Sequence, residues 1–382
     1  VKLRVHQSID EIPADRWNLL AGGNPFLRHE FLAALEHSGS VGGTSGWQPA
    51  HLSGSDVQGR LLAAMPLYIK SHSYGEYVFD WAWADAYQRA GLAYYPKLLS
   101  AVPFSPVTGP RLLMAADSDP HVLSKNLLGQ AQALAGELGA SSIHGLFMPE
   151  TELPYWGEGG YLQRRDFQFH WHNRGYADFD AFLETFTADK RKKVRRERRR
   201  IAESGIRFEI RSGHELDDAL LEMLFHFYTT TYAKRLRPAY LKREFFREIR
   251  GSLADALLCI IAVHQGQPVA AAICYRDADT LYGRHWGCSE EFHSLHFETC
   301  YYQGIDYCIV HGLQHFNPGT QGEHKISRGF EPLLTHSAHW VAREDFRVAI
   351  DEFLRREQHL VSAYLRETRE HLPFNQQASD QH

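Results

Sequence analysis

The 382-residue chain reads as an α/β protein with mixed sheets, built on one plan used twice, and three observations carry that reading. Strand-like runs over residues 256–263, 268–275 and 280–286 are separated only by His264-Gln265-Gly266-Gln267 and Arg276-Asp277-Ala278-Asp279. Turns that short join antiparallel neighbours, so the three runs form a meander. Two helical patterns, 215–233 and 242–253, precede it. A helix over 293–312, a short strand 315–317, a strand near 337–341 and a long helix 343–369 follow. The chain also exceeds the size at which one hydrophobic core keeps growing, which predicts two domains.

The first half follows the same order less sharply. A helix over 26–37 precedes strand-like runs at 48–52, 60–69 and 77–81, with Ser53-Gly54-Ser55-Asp56 supplying one turn. A helix over 120–139 then feeds a strand at 142–147. Domains are expected at 1–166 and 167–382. With 44% hydrophobic and 23% charged residues the composition is that of an ordinary globular protein, and disorder is expected only in the polar tail 375–382. The longest apolar run, 256–263, is far shorter than the roughly 20 residues a membrane span needs. No charged-then-apolar stretch opens the chain, and a cytoplasmic protein is expected. Five cysteines fall between 259 and 308 without a C-x-x-C pair, as expected of buried free thiols in a reducing compartment.

The net charge of −5 conceals a local asymmetry, because residues 190–200 hold nine bases and one acid. Phe182, Phe186, Val194 and Ile201 leave a thin apolar stripe along this helix, and Ser204-Gly205 stops it. Like charges at helical spacing cost roughly 0.2–0.5 kcal/mol per pair, which an anionic partner would offset. Arg195, Arg196 and Arg199 are therefore candidate ligands for a phosphate-bearing molecule, against the plainer reading of a solvated helix face.

A second dense cluster follows the meander. The strand ending Arg284-His285-Trp286-Gly287 leads through the aromatic helix to the loop Asn317-Pro318-Gly319-Thr320-Gln321-Gly322-Glu323-His324-Lys325-Ile326-Ser327-Arg328-Gly329-Phe330. The loop lies at the carboxyl end of the sheet, where open α/β folds bind ligands. Acyl transfer to an amine needs an oxyanion stabiliser, a proton acceptor and a means of aligning two substrates. Glu323 or His324 suits the proton, and Lys325 and Arg328 suit a phosphate or a developing oxyanion, with Trp286 and Phe330 bordering the cleft. The alternative is a surface turn with incidental charges. Glu290-x-x-His293 has the spacing of di-iron helices, but the second such motif is missing, as are H-E-x-x-H and G-x-S-x-G, so no metal and no serine nucleophile are expected.

The pattern W-G-C-x-E-x-x-H-x-x-H-F-E-x-C-Y-Y-Q followed by N-P-G-T-Q-G-E-H-K-x-x-R-G-F resembles the predicted N-acyltransferases labelled peptidoglycan biosynthesis/recognition proteins. These are relatives of the Fem-type aminoacyl transferases and the GNAT acetyltransferases, and they are bacterial. Tyr94-Tyr95-Pro96-Lys97 and the proline-rich stretch from Pro103 to Leu112 extend the resemblance to nearly the whole chain. The second stretch reads equally as a cleft wall or as a plug between domains. The resemblance implies two tandem GNAT-like acyltransferase domains that move an acyl or aminoacyl group to an amine, with a cell-wall precursor as acceptor. Arg328-Gly329-Phe330 matches a K-G-F element that handles substrate in the Fem-type proteins. The run from Arg195 to Ile206 resembles a helix that lies near a phosphate-bearing precursor and a tRNA-borne donor. The long helical hairpin of some Fem proteins is missing here, which weighs against tRNA. The GNAT pyrophosphate loop Q/R-x-x-G-x-G/A is also missing, and Glu290-Glu291 stands in its place, so acyl-CoA would need an altered loop. Acyl-CoA and aminoacyl-tRNA both remain as donors. The rival reading is a non-enzymatic binder of nucleic acid or anionic glycopolymer working through the basic helix.

Overall fold

The computed structural model describes residues 1–375 except 235 and 321, so the polar tail 376–382 and Gln321 lie outside the described residues. The chain divides into two compact units, Val1–Phe167 with Leu334–Ala363, and Gln168–Leu333 with Tyr364–His382. Residues 334–363, assigned from the sequence to the second domain, thus cluster with the first. Two contacts explain it. The strand Glu331–Val341 pairs from His336 onward with Ser142–Met148, and the helix Glu344–Glu370 packs Ile350 and Leu354 against Trp83, Tyr87 and Tyr94.

In the first unit a small sheet runs in the order Lys2–His6, His51–Ser55, Leu61–Met65, Leu113–Met114. A larger one runs from Glu331–Val341 through Ser142–Met148, Lys97–Ser100 and Tyr68–Lys70 to Trp47–Pro49. The expected strands 48–52 and 60–69 each break in two and serve both sheets, because Pro66 has no N–H to continue a ladder. The expected strand at 77–81 is instead a loop entering the helix Trp81–Arg89, where Trp83 and Tyr87, four apart, are buried on one face. The helix Pro120–Leu138 begins at an Asp119 cap, stops at left-handed Gly139, and buries Leu123, Leu127, Leu128 and Ala131 in the main apolar core.

Lys97–Ser100 and Ser142–Met148 are parallel only as far as Ser100↔Gly145. The gap beyond is filled by the chain itself. Gly109 N donates to Phe147 O at 3.0 Å, and fully buried Arg111 donates to the carbonyls of Leu146 (2.7 Å), Val107 (2.7 Å) and Gly109 (3.0 Å). The Glu152 carboxylate accepts the Arg111 N–H at 2.9 Å. The proline-rich stretch is therefore a plug inside the first unit.

In the second unit Arg207–Ser212, Leu257–His264, Gln267–Arg276 and Thr280–Cys288 are consecutive antiparallel strands, the last three being the expected meander. Asp218–Ala233 and Arg243–Ser252 are the two helices before it, and Ala188–Glu203 is the basic helix. The expected helix 293–312 is uneven. It begins at Leu295–Phe297, widens to a π-helical turn over Glu298–Tyr302 and continues as Gln303–His311. Thr280–Cys288 pairs in parallel with His315–Asn317 from Thr280↔His315 to Tyr282↔Asn317 and then parts from it, with a bulge at Arg284 that turns the strand end. All five cysteines are free thiols, four of them buried and Cys300 half-buried.

Candidate active site of the second unit

At the end of the strand Thr280–Cys288, Gly287 meets the helix Asp218–Ala233 so closely that a Cβ there would lie 1.8 Å from the Phe227 carbonyl oxygen. The Thr231 hydroxyl donates to the Trp286 carbonyl on the same contact. This packing sets one wall of a pocket of about 380 Å³, with Thr230, Thr231 and Lys234 facing Trp286 and with Leu295 and His296 behind. Glu290 and Glu291 stand at the pocket too, Glu291 held 2.5 Å from the Lys234 ammonium.

The expected loop becomes a 3₁₀ turn, Glu323–Arg328. His324 sits among the rings of His296 (6.1 Å), Phe297 (5.5 Å) and Tyr301, and its Nε2 is 2.8 Å from the Tyr301 hydroxyl. Trp286 closes the cluster, 5.3 Å from His296. Burial, reinforced by His324, Arg328 and Lys325, pushes His296 down to about 4, and burial with Arg328 and Lys325 lowers His324. Each imidazole therefore offers a nitrogen lone pair at neutral pH. His296 and Tyr301 are five residues apart, and the π-helical turn between them brings their rings to 5.4 Å. Nothing in a 3.6-residue pattern signals that pairing, which is why the sequence did not single out His296 or Tyr301 for catalysis.

Glu323 is exposed and accepts a bond from the Tyr364 hydroxyl at 3.1 Å. Lys325 and Arg328 depart from the expectation that both clamp one ligand. Lys325 is 1% exposed and its ammonium donates to Gly319 O (2.8 Å) and Thr320 O (3.1 Å). Arg328 is 3% exposed and its Nη2 donates to both carboxylate oxygens of Glu197 (2.8 and 2.9 Å), while its guanidinium lies 3.5 Å over Phe297. Glu197 also accepts the Tyr302 hydroxyl. The single acid of the basic run is thus its buried charge, holding the helix to the turn. Phe330 is fully buried against Tyr301 (5.3 Å) and Phe316 (5.6 Å).

Burial, aided by Arg284, brings Lys325 down to about 7. Between that value and the ordinary ~10.4 the unfolded chain holds a proton that the folded chain sheds, so this group makes stability rise with pH across that window. Urea unfolding at pH 7 and pH 10 should show wild type gaining stability relative to Lys325→Met, and an unchanged difference would mean the ammonium is not desolvated.

Val194, Glu197 and Ile201 face inward on the basic helix, which turns the other side to solvent. Arg195 pairs with Asp180 at 2.9 Å, Arg199 lies 3.7 Å from Glu203, and Arg196 is exposed. These three share no contact with the Trp286–His324 cluster among the described residues. Replacing all three with Gln should change the unfolding free energy by less than about 0.5 kcal/mol each, as surface changes do, while flattening the salt dependence of polyanion binding. A loss above about 2 kcal/mol in melts would make the charges structural.

Both units carry mixed sheets, each with a parallel strand pair that parts at one end. The chain belongs to the FemAB-like family, described as peptidoglycan biosynthesis/recognition, whose model matches residues 8–376. A FemX structure superposes with a TM-score of 0.55 at 11% identity, covering 92% of this chain and all of that one. A protein from Bacillus licheniformis designated L-PGS superposes with a TM-score of 0.56 at 13% identity, covering 92% and 98% of the two chains. The C-terminal domain of a protein described as a lysylphosphatidylglycerol synthetase from Agrobacterium fabrum gives 0.56 at 10%, covering 91% and 97%. At these identities the likeness is one of fold. No curated protein sequence matches the chain. Among the described residues, no helix is long and apolar enough to cross a membrane.

Proposed function

We propose that the second unit transfers an acyl or aminoacyl group to an amine, with a peptidoglycan precursor as the acceptor that the family description suggests. The observation that carries this reading is that His296, whose burial favours the neutral imidazole, lines a 380 Å³ pocket beside Trp286 at the end of the strand Thr280–Cys288. The gap where the parallel strands of the first unit part is filled by Arg111 and its neighbours, which leaves the second unit as the catalytic one. The amine nitrogen attacks the acyl carbonyl carbon and forms the C–N bond, while His296 takes the amine proton. The bond from carbonyl carbon to the donor's oxygen or sulfur then breaks, and the proton passes to that leaving group. The His324–Tyr301 pair orients the cluster around His296. Glu290 and Glu291 at the pocket disfavour a pyrophosphate there, which weighs against acyl-CoA held as in a GNAT enzyme.

Mass spectrometry of mixtures holding an amine-bearing muropeptide and either donor tests this. Amide product is expected with wild type, and His296→Ala should slow it by about 10²–10⁴-fold, as loss of an acid–base group does. A wild-type rate in that variant would remove His296 from the chemistry. The outward cations Lys192, Lys193, Arg196 and Arg200, which have no ion pair among the described residues, support the rival binder. Steeply salt-dependent polyanion binding with no amide from either donor would establish it instead.

A further inference from the structure

Residues 71–81 of the first unit have their polarity reversed. The acids Glu76 and Asp80 are 4% and 3% exposed, whereas Tyr74, Phe79 and Trp81 are 50%, 53% and 41% exposed. Solvation alone favours the opposite arrangement, since rings gain by burial and carboxylates lose. Two fully buried lysines, paired across adjacent strands as Lys70↔Lys97, hold it in place. The Lys97 ammonium donates to Ser73 Oγ at 2.8 Å, to Glu76 at 2.7 Å and to Asp80, and Lys70 lies 3.8 Å from Glu76. Tyr94 donates to Asp80 at 2.7 Å, and the Tyr95 hydroxyl is 2.8 Å from Ser73. The Tyr94-Tyr95-Pro96-Lys97 motif, which no step of acyl transfer uses, is thus a clasp for this loop.

We propose that the clasped loop docks the protein on the interfacial layer of a lipid bilayer through Tyr74, Phe79 and Trp81. Trp and Tyr favour that layer because one end of the ring is apolar and the other tolerates water. Both acids of the loop are turned inward, so the face meets a bilayer without desolvating a carboxylate. The rings are already ordered, Tyr74 against Trp81 at 5.1 Å and the Phe79 carbonyl held by Arg164 at 2.8 Å, which lowers the entropic cost of docking. A glycan would need polar side chains beside the rings, and Ser73, Glu76 and Asp80 all point the other way. The attraction is apolar, so headgroup charge and salt should matter little.

Sedimentation with phosphatidylcholine vesicles, alone and with phosphatidylglycerol, at low and high salt tests the proposal. Wild type should partition onto both vesicle types. The triple variant Tyr74→Ser, Phe79→Ser, Trp81→Ser should bind at least tenfold more weakly while keeping a cooperative melt and the wild-type circular dichroism spectrum, since about half of each side chain already faces solvent. Equal binding by the variant, or no binding of wild type to phosphatidylcholine, overturns the proposal. So does binding confined to anionic vesicles and abolished by salt, which would assign the contact to cations such as those of the basic helix. Saturable binding of an N-acetylglucosamine tetramer that the variant loses, without vesicle binding, would replace the bilayer by a glycan.

Discussion

Glu197→Ala is expected to lower the unfolding free energy by about 3–5 kcal/mol, the usual cost of stripping one partner from a buried ion pair. The substitution leaves the Arg328 guanidinium 3% exposed without its carboxylate acceptor, and it removes the acceptor of the Tyr302 hydroxyl. Urea unfolding measures the loss, and a change below about 1 kcal/mol would show that water reaches the pair. The double replacement Glu197→Leu with Arg328→Met should recover much of it, because an apolar pair of similar volume needs no compensation. Neighbouring cations make the result diagnostic. Arg195 and Arg199, on the same helix, pair in solvent and should cost little. Because Arg328 also donates to the His324 carbonyl at 2.7 Å, loss of the pair should loosen the turn that places His324, so activity should fall along with stability.

Gly287→Ala is expected to cost about 3 kcal/mol or more, at the upper end of overpacking penalties, because the new Cβ would meet backbone. It would lie 1.8 Å from the Phe227 carbonyl oxygen and 2.8 Å from the Phe227 Cα, so the helix Asp218–Ala233 must move off the strand. That helix carries Thr230 and Thr231, so the pocket wall facing Trp286 moves with it. Gly283→Ala on the same strand is the control. Its nearest neighbour is a Phe316 ring atom at 3.4 Å, an ordinary contact, and its cost should stay below about 1 kcal/mol. Equal melting temperatures for the two variants would show that helix and strand are not locked together at Gly287.

How much of this was legible depends on the range of the interaction. The meander could be read because alternation, turn residues and strand length are local properties of residues 256–288, and the observed strands end within two residues of those expected. The helix expected over 120–139 is observed as Pro120–Leu138 for the same reason. Strands Lys97–Ser100 and Leu162–His172 carry no such local signal, the first because it is only four residues long and buried on both faces, the second because its charged and aromatic side chains break the usual alternation.

The candidate site divides along the same line. The sequence by itself determined that the Asn317–Phe330 loop follows a crossover at the carboxyl end of a mixed sheet, and that Trp286 and His324 belong to that region, since chain connectivity brings strand ends and loops together. It did not determine the direction in which a side chain points. Lys325 and Arg328 looked like ligands for a substrate, yet both are buried, one on backbone carbonyls and one on Glu197, a residue 131 positions away along the chain. Only the tertiary structure decided that the lone acid of the basic helix faces the core, that a π-helical turn brings His296 to Tyr301, and that Arg111 closes the first unit's gap. The physical reason is that a charge turns inward only where a distant partner offsets its desolvation, and a distant partner is a property of the fold and of no local pattern.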